Sequence, residues 1–262
     1  FDKSSWNDIV TAYNNGEISQ LQQDMENGTT KEVQLDLDND GTAETTAHLR
    51  IANLSTPTEC STQGFSQSAC GLVIEFADVI TKHRMNPYVS GDTTTTGVNS
   101  KGGWEYSDMR AYLNSTTYAA GSIDYSTEGI YNALPSELKS KIINTTVVSG
   151  HGSKDSTNFT TTDKLYLLSA HEVWEKTGNS DIDSYDSAWN LTRQLDYYHD
   201  IGVTTSNYSG AIKQYNESNS PWWIRSADSY YNRDFFRVSS NGSWSSIDSN
   251  GTVGVAPAFR IG

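Results

Sequence analysis

Two stiff motifs near the end of this chain constrain its fold more than any other feature. Trp222-Trp223-Ile224-Arg225-Ser226 and Gly254-Val255-Ala256-Pro257-Ala258-Phe259-Arg260 are dense in aromatic and apolar side chains. Alternation along a strand puts Trp222 and Ile224 on one side and Trp223 and Arg225 on the other. An arginine in such company needs aromatic faces to stack on or a buried acid to pair with, and Asp163 is a candidate acid. Both motifs, Phe259 and Arg260 included, read as scaffold.

Between them the vocabulary changes. Of the 29 residues from 226 to 254, 20 are Ser, Asn, Asp, Tyr, Thr or Gly, and none is Lys, Glu, Gln or Met. A plain linker would be polar without also carrying Tyr230, Tyr231, Phe235, Phe236 and Trp244. Rigid aromatic faces beside short, adaptable polar groups make the composition of a recognition surface. The stretch points to binding rather than to chemistry.

Composition narrows the classes. The 262 residues suffice for one large domain with a substantial core. The hydrophobic fraction is only 35%, but 7 Trp, 15 Tyr and 7 Phe compensate with large buried areas. A net charge of −14 without any Lys/Arg cluster repels phosphates, which argues against nucleic acid and against anionic membrane surfaces. No apolar run approaches the ~20 residues of a membrane span. The Ser-, Thr- and Asn-rich polarity is common in extracellular proteins, and a start at Phe1 rather than Met fits a mature or trimmed product. Cys60 and Cys70 can close a short disulfide loop in a secreted protein or remain two buried thiols. No CxxC spacing or nearby His completes a metal set around them.

Hydrophobic periodicity predicts an α+β fold. Apolar residues at 6, 9, 10 and 13 form a helical stripe capped by Ser4 or Ser5. Residues 33–37 and 47–52 alternate as strands about Asn39-Asp40-Gly41, a hairpin with Asp-Gly at its tip. The apolar run 71–80 reads as a central strand, followed by a Thr- and Gly-rich loop from about 87 to 103. Helices are expected over 104–113, with Ser107 as cap, and over 134–142, with Pro135 in the first turn. Strands are expected at 147–148 and 164–169, then a helix from Ala170, and a long loop region from 177 to 220. Short strands follow at 222–226, 234–239, 243–247 and 254–260. Without a repeating βα alternation the fold is α+β rather than doubly wound. No linker marks a boundary, so 1–262 reads as one domain. Its residues 1–55 form a helix-and-hairpin lobe, and 200–262 a C-terminal binding region.

The catalytic constellations are weak. Asp36, Asp38, Asp40 and Gly41 have the spacing that opens a calcium loop, but Ala47 stands where the bidentate acid belongs, so the hairpin turn is the preferred reading. His48, His83, His151, His171 and His199 are scattered, and no second His completes a zincin motif after His171-Glu172. Ser149 and Ser153 beside His151 make no triad, and no nucleophile elbow is present. The acid pairs Asp181/Asp183 and Asp196/Asp200 read as solvated faces. The chain is read as a non-enzyme without cofactor or metal.

One resemblance organises these motifs. The two end motifs, with Gly102-Gly103-Trp104, Asp108-Met109-Arg110-Ala111-Tyr112-Leu113-Asn114, Leu134-Pro135-Ser136-Glu137-Leu138 and Thr162-Asp163-Lys164-Leu165-Tyr166-Leu167-Leu168-Ser169, resemble the DUF6273 type of bacterial and phage surface proteins over roughly residues 50–262. That family looks related to the C-type lectin-like fold in its formylglycine-generating-enzyme-like form. Both cysteines lie early, so the oxidase chemistry of those enzymes does not carry over. The polar-aromatic window resembles the variable region of proteins diversified by retroelements, where mutagenesis at adenines of AAC codons cannot yield Lys, Glu, Gln, Met or Trp. The resemblance implies exposed binding positions at Asp228, Tyr230, Tyr231, Asn232, Arg233, Asp234, Phe236, Arg237, Ser239, Asn241, Ser243, Ser245, Ser246 and Asp248. Phe235 and Val238 would face inward, and Trp244 would be fixed. The expected function is a receptor-type binding protein, extracellular, cell-surface or phage-associated, whose partner is a protein ligand or host surface receptor. The alternative is a glycan-binding adhesin module without diversification.

Overall fold

The computed structural model describes residues 1–88, 102–118, 121, 123–153, 155 and 157–262. The loop expected from about 87 to 103 therefore lies mostly outside the described residues. Helix α1 (Trp6–Asn14) starts where its cap dictates. The Ser5 hydroxyl accepts from the Asp8 amide at 3.1 Å and the Asp8 carboxylate reaches back to the Ser5 amide, a reciprocal box that satisfies two orphan donors. Its stripe buries Trp6, Ile9 and Val10. A second helix, α2 (Ser19–Glu26), was not legible in the sequence, because Leu21 and Met25 are its only buried apolar residues.

Strands β1 (Thr30–Leu35) and β2 (Thr45–Asn53) pair antiparallel from Thr30↔Arg50 to Leu35↔Thr45. Residues 36–44 connect them, so the expected tight tip is a longer loop held by acid-to-amide bonds. The Asp36 carboxylate accepts from the Asp40 and Gly41 amides at 3.0 and 2.9 Å, and Gly41 takes a φ of 95° that suits glycine. Strand β2 then adds β3 (Val73–Phe76), the centre of the apolar run, and β3 adds the last strand, β13 (Ala258–Arg260), to complete a four-stranded sheet.

A second sheet has five strands. Strand β4 (Thr81–His83) lies at one edge beside β12 (Val253–Val255), followed by β9 (Trp222–Ala227), β10 (Asp234–Val238) and, at the other edge, β11 (Trp244–Asp248). The expected strand 254–260 is thus two strands in two sheets. Pro257, which has no N–H for a ladder, stands at the crossing, and its carbonyl accepts from the Phe76 amide. Two hairpins flank the sheets, β5 (Thr145–Gly150) with β6 (Asn158–Asp163) and β7 (Lys213–Tyr215) with β8 (Ser218–Ser220).

Six further short α-helices among the described residues pack around them: α3 (Asp108–Asn114), α4 (Ile130–Ala133), α5 (Ser136–Lys139), α6 (Ala170–Val173), α7 (Ile182–Tyr185) and α8 (Asp196–Asp200). Ser107 caps α3 as its sequence predicts, accepting from the Arg110 amide. Residues 164–169, expected as a strand, are irregular. Leu165, Tyr166, Leu167 and Leu168 are fully buried there, so the apolar run marks core and not a ladder. Several sheets with short helices make an α+β fold. One apolar cluster runs from Phe1 and Trp6 to Phe259 and Ile261, and the N-terminal hairpin shares its sheet with the C-terminal strand. Cys60 and Cys70 are joined by a disulfide that encloses Phe65 in a small satellite cluster.

Buried charge links the elements. Glu75 of β3 accepts from Arg50 Nε, Lys213 Nζ and the Tyr198 hydroxyl at 2.8, 2.8 and 2.9 Å. Burial pushes the Lys213 ammonium down to about 8, although Glu75 opposes it.

Close packing at β12 gives a direct test. A Cβ on Gly254 would stand 2.6 Å from the Pro221 carbonyl oxygen and 2.7 Å from a Val79 methyl carbon. Gly254→Ala is therefore expected to cost about 1–3 kcal/mol through overpacking, read as a lower urea midpoint at unchanged m-value.

Candidate functional site

The scaffold behind the site is built on one arginine. Arg225 of β9 is fully buried and donates NH1 and NH2 to the two Glu172 oxygens of α6, both at 2.6 Å. It also donates to Ser149 Oγ at 3.0 Å, to the Leu167 carbonyl at 2.8 Å and to Ser68 Oγ at 3.1 Å. Glu172 completes its shell with Thr192, the Ser68 hydroxyl and the Ser169 amide. The arginine has a buried acid, as the motif requires, but the acid is not Asp163. Asp163 instead holds Arg110 Nε at 2.7 Å and the Trp104 indole at 2.9 Å.

Beyond Arg225, β9 runs out through Ser226 into the loop that leads to β10. Ser226 Oγ takes the Ala170 amide and bonds the Asp186 carboxylate. The Asp228 carboxylate accepts from the Tyr230 and Tyr231 amides at 2.8 and 3.2 Å, and the Asp228 amide donates to the Asp234 carbonyl at 3.0 Å. Ser229 donates its amide to the Tyr185 carbonyl, docking the loop on the end of α7. These bonds hold two tyrosines outward. Tyr230 and Tyr231 are 66% and 55% exposed, and their rings meet edge-on at 4.8 Å. Tyr230 also tilts against Tyr185 at 5.7 Å.

The expected binding positions divide by burial. Tyr230, Tyr231, Asn232, Arg233 and Asn241 are exposed, whereas Asp234, Arg237, Ser239, Ser243, Ser245, Ser246 and Asp248 are half-buried. Two are buried and correct the expectation of an exposed position. Asp228 spends its carboxylate inside the loop. Phe236 is as buried as Phe235, because β10 lies between β9 and β11 with both faces covered, and Trp244 meets the Phe236 ring edge-on at 5.9 Å. Phe235 and Val238 do face inward. The half-buried hydroxyls bond one another: Ser245 Oγ accepts from Arg237 Nε and from Ser239 Oγ, both at 3.1 Å.

Two members of the surface escape any sequence pattern. Tyr88, 51% exposed, lies under the Arg233 guanidinium at 5.8 Å, and Tyr185 reaches Tyr230 from α7. Both arrive through tertiary contacts. The Met85 and Asn86 amides donate to the Ser249 carbonyl, and the Ser249 amide donates to the Arg233 carbonyl.

Other candidate residues have structural partners. His151 stacks on Phe159 at 4.4 Å and reaches Glu105 at 3.1 Å, while His171 stacks on Trp189 at 4.3 Å and bonds its carbonyl. Asp196, read as a solvated acid, clamps the Leu54 and Ser55 amides and Arg193. Asp183 holds Lys176. Asp36, Asp38 and Asp40 bring carboxylate oxygens within 4.8 Å of one another, and all three acids are already used on loop amides. Among the described residues no helix is long and apolar enough to cross a membrane.

Together these features define an α+β domain that presents an aromatic, acid-rich loop at the end of a five-stranded sheet. Residues 81–262, well over half of the chain, match the family model described as Domain of unknown function (DUF6273), and the chain belongs to that family. No curated protein and no solved structure matches it. The match begins at β4, so β2 and β3, which the resemblance took in from about residue 50, lie before it.

The central ion pair sets a pH dependence. Burial alone would raise the Glu172 carboxyl, but the Arg225 guanidinium and its hydrogen bonds hold it below the ordinary 4.5. A carboxyl depressed in the folded state contributes stability above its unfolded value and loses it as pH falls through the folded one. Asp186, raised by burial, acts in the opposite sense. Glu172→Gln, which leaves Arg225 buried without its counter-charge, is expected to cost about 3–5 kcal/mol at neutral pH. In urea titrations the gap from wild type should narrow as pH drops below about 4.

Proposed function

We propose that the protein is a non-enzymatic, receptor-type binding protein, displayed outside the cell or on a phage. Its scaffold is of the C-type lectin-like kind, and its C-terminal face is diversified by a retroelement to grip a protein ligand. The observation that carries this reading is the clustering of apolar exposure. Five large hydrophobic side chains are exposed among the described residues, and three of them, Tyr88, Tyr230 and Tyr231, belong to this one rim. Concentrated aromatic exposure rimmed by polar groups is the signature of a contact surface.

The arrangement also suits diversification. The buried residues Trp222, Trp223, Arg225, Phe235, Phe236 and Val238 supply the support, and the exposed positions between them have little packing to lose. The absence of Lys, Glu, Gln and Met from 226–254 agrees with adenine mutagenesis of AAC codons. Asp228 and Phe236 fall to the framework, which leaves Tyr230, Tyr231, Asn232, Arg233 and Asn241 as the centre of the variable set.

The test is an exchange of those five side chains for other residues reachable from AAC codons, with the framework unchanged. Thermal midpoints should stay within a few degrees of wild type, as expected for surface substitutions. Binders selected against the wild type from a displayed library of surface-protein fragments should lose at least about tenfold in affinity for the exchanged protein, about 1.4 kcal/mol. Unfolding of most exchanged variants, unaltered affinity, or binding confined to glycans on a sugar array would each overturn the proposal.

A further inference from the structure

The binding rim sets two half-buried carboxylates face to face, and that bears on the chemistry of what it can hold. The inference rests on the binding reading above and names the group the site would recognise. Asp234 at the start of β10 and Asp248 at the end of β11 stand directly opposite each other in the antiparallel register. Like charges in that position are unfavourable unless something offsets them. Burial holds the Asp234 carboxyl above its ordinary range, and the neighbouring Asp228 and Asp248 add to it. Among the described residues Asp234 takes a long side-chain hydrogen bond, 3.4 Å, from the Ser246 hydroxyl.

The rim also brings two arginines, of which Arg237 is half-buried with its Nε on Ser245 Oγ. Arg233 pairs with Asp248 at 3.3 Å, leaves 48% of its side chain exposed, and rests its guanidinium 5.8 Å over the Tyr88 ring. That contact is an internal example of what the surface favours, a cation between a carboxylate and the face of a tyrosine. The Tyr230 and Tyr231 rings, more exposed than Tyr88, sit on the loop that joins Asp228 to Asp234. A tyrosine face attracts ammonium and guanidinium groups through its quadrupole, and a nearby half-desolvated carboxylate adds to that attraction. The whole-chain charge of −14 steers such partners in the same sense.

We propose that the rim docks a protein partner through a lysine or arginine side chain, its charged head held between the Tyr230–Tyr231 pair and Asp234. The aromatic pair supplies contact area, and the unbalanced carboxylate supplies selection for the cation.

The experiment uses the full chain and a displayed library of short random peptides as the probe. Sequences recovered by the wild type should be enriched in Lys and Arg. Synthetic copies of them should weaken by about tenfold between about 50 and about 500 mM salt, because the paired charges are only partly buried. Asp234→Asn should fold at least as well as wild type, since it removes like-charge repulsion, and Asp248→Asn about as well, since it also removes the Arg233 pair; each should bind those peptides about tenfold more weakly. Binders that lack basic residues and ignore both substitutions and salt, yet are lost in Tyr230→Ala/Tyr231→Ala, would overturn the cation proposal and leave the binding reading intact. Binders indifferent to the tyrosine substitutions as well would overturn both. The salt dependence is measured on wild type, so it decides the matter even if an Asp variant fails to fold.

Discussion

The placement of the aromatic rim depends first on the buried pair of Arg225 and Glu172. Two charges taken out of water cost several kcal/mol each unless their remaining hydrogen-bonding capacity is met, and here it is met by atoms from separate parts of the chain. Ser68 comes from beside the disulfide, Ser149 from β5, Leu167 from the irregular apolar run and Thr192 from the segment before α8. The pair therefore works as a hub that fixes β9 against four other segments. Such a hub specifies one arrangement, because any shift of β9 would strand an ionised group in the core.

From that hub the order decays outward by steps. Arg225 is locked by charge, Ser226 by bonds to α6 and Asp186, and Asp228 by two amides of its own loop. Only after these do Tyr230 and Tyr231 emerge into solvent. A tyrosine has few rotatable bonds, and its backbone here is already tied down, so these side chains keep little freedom. On β11 the hydroxyls already have partners, Ser245 with Ser239 and Arg237 and Ser246 with Asp234. The polar groups of that face thus have their hydrogen-bonding capacity met by the protein's own atoms.

Much of this was legible in the sequence, and the failures have physical causes. The α1 cap, the Ser107 cap, the hairpin of β1 and β2, and the strands of the last forty residues follow from local periodicity and capping chemistry, which a sequence displays directly. The partner of Arg225 was not legible. Many acids lie at comparable sequence distance, and only the fold chooses Glu172 over Asp163. Phe236 was placed outside because alternation assumes one wet face, and β10 has none at that point. Residues 164–169 carry the composition of a strand without its ladder, since a fully buried run satisfies apolar side chains equally well as irregular core. Tyr88 and Tyr185 join the rim from remote segments, and no window of sequence contains that meeting. The exposed run at 230–233 stands out in composition, but the remote residues that meet it do not.

The crossing at Pro257 has a consequence in time as well as in space. Residues 253–255 complete the five-stranded sheet and residues 258–260 complete the four-stranded one, so both sheets wait for the same eight residues. During synthesis neither sheet can reach its full strand set before that segment leaves the ribosome, long after β1, β2 and β3 have emerged. At about 5–20 residues per second the early strands stand with open edges for seconds or more. The loop before that segment is therefore made before either sheet is complete, and it gains its full support only when residues 253–260 are in place.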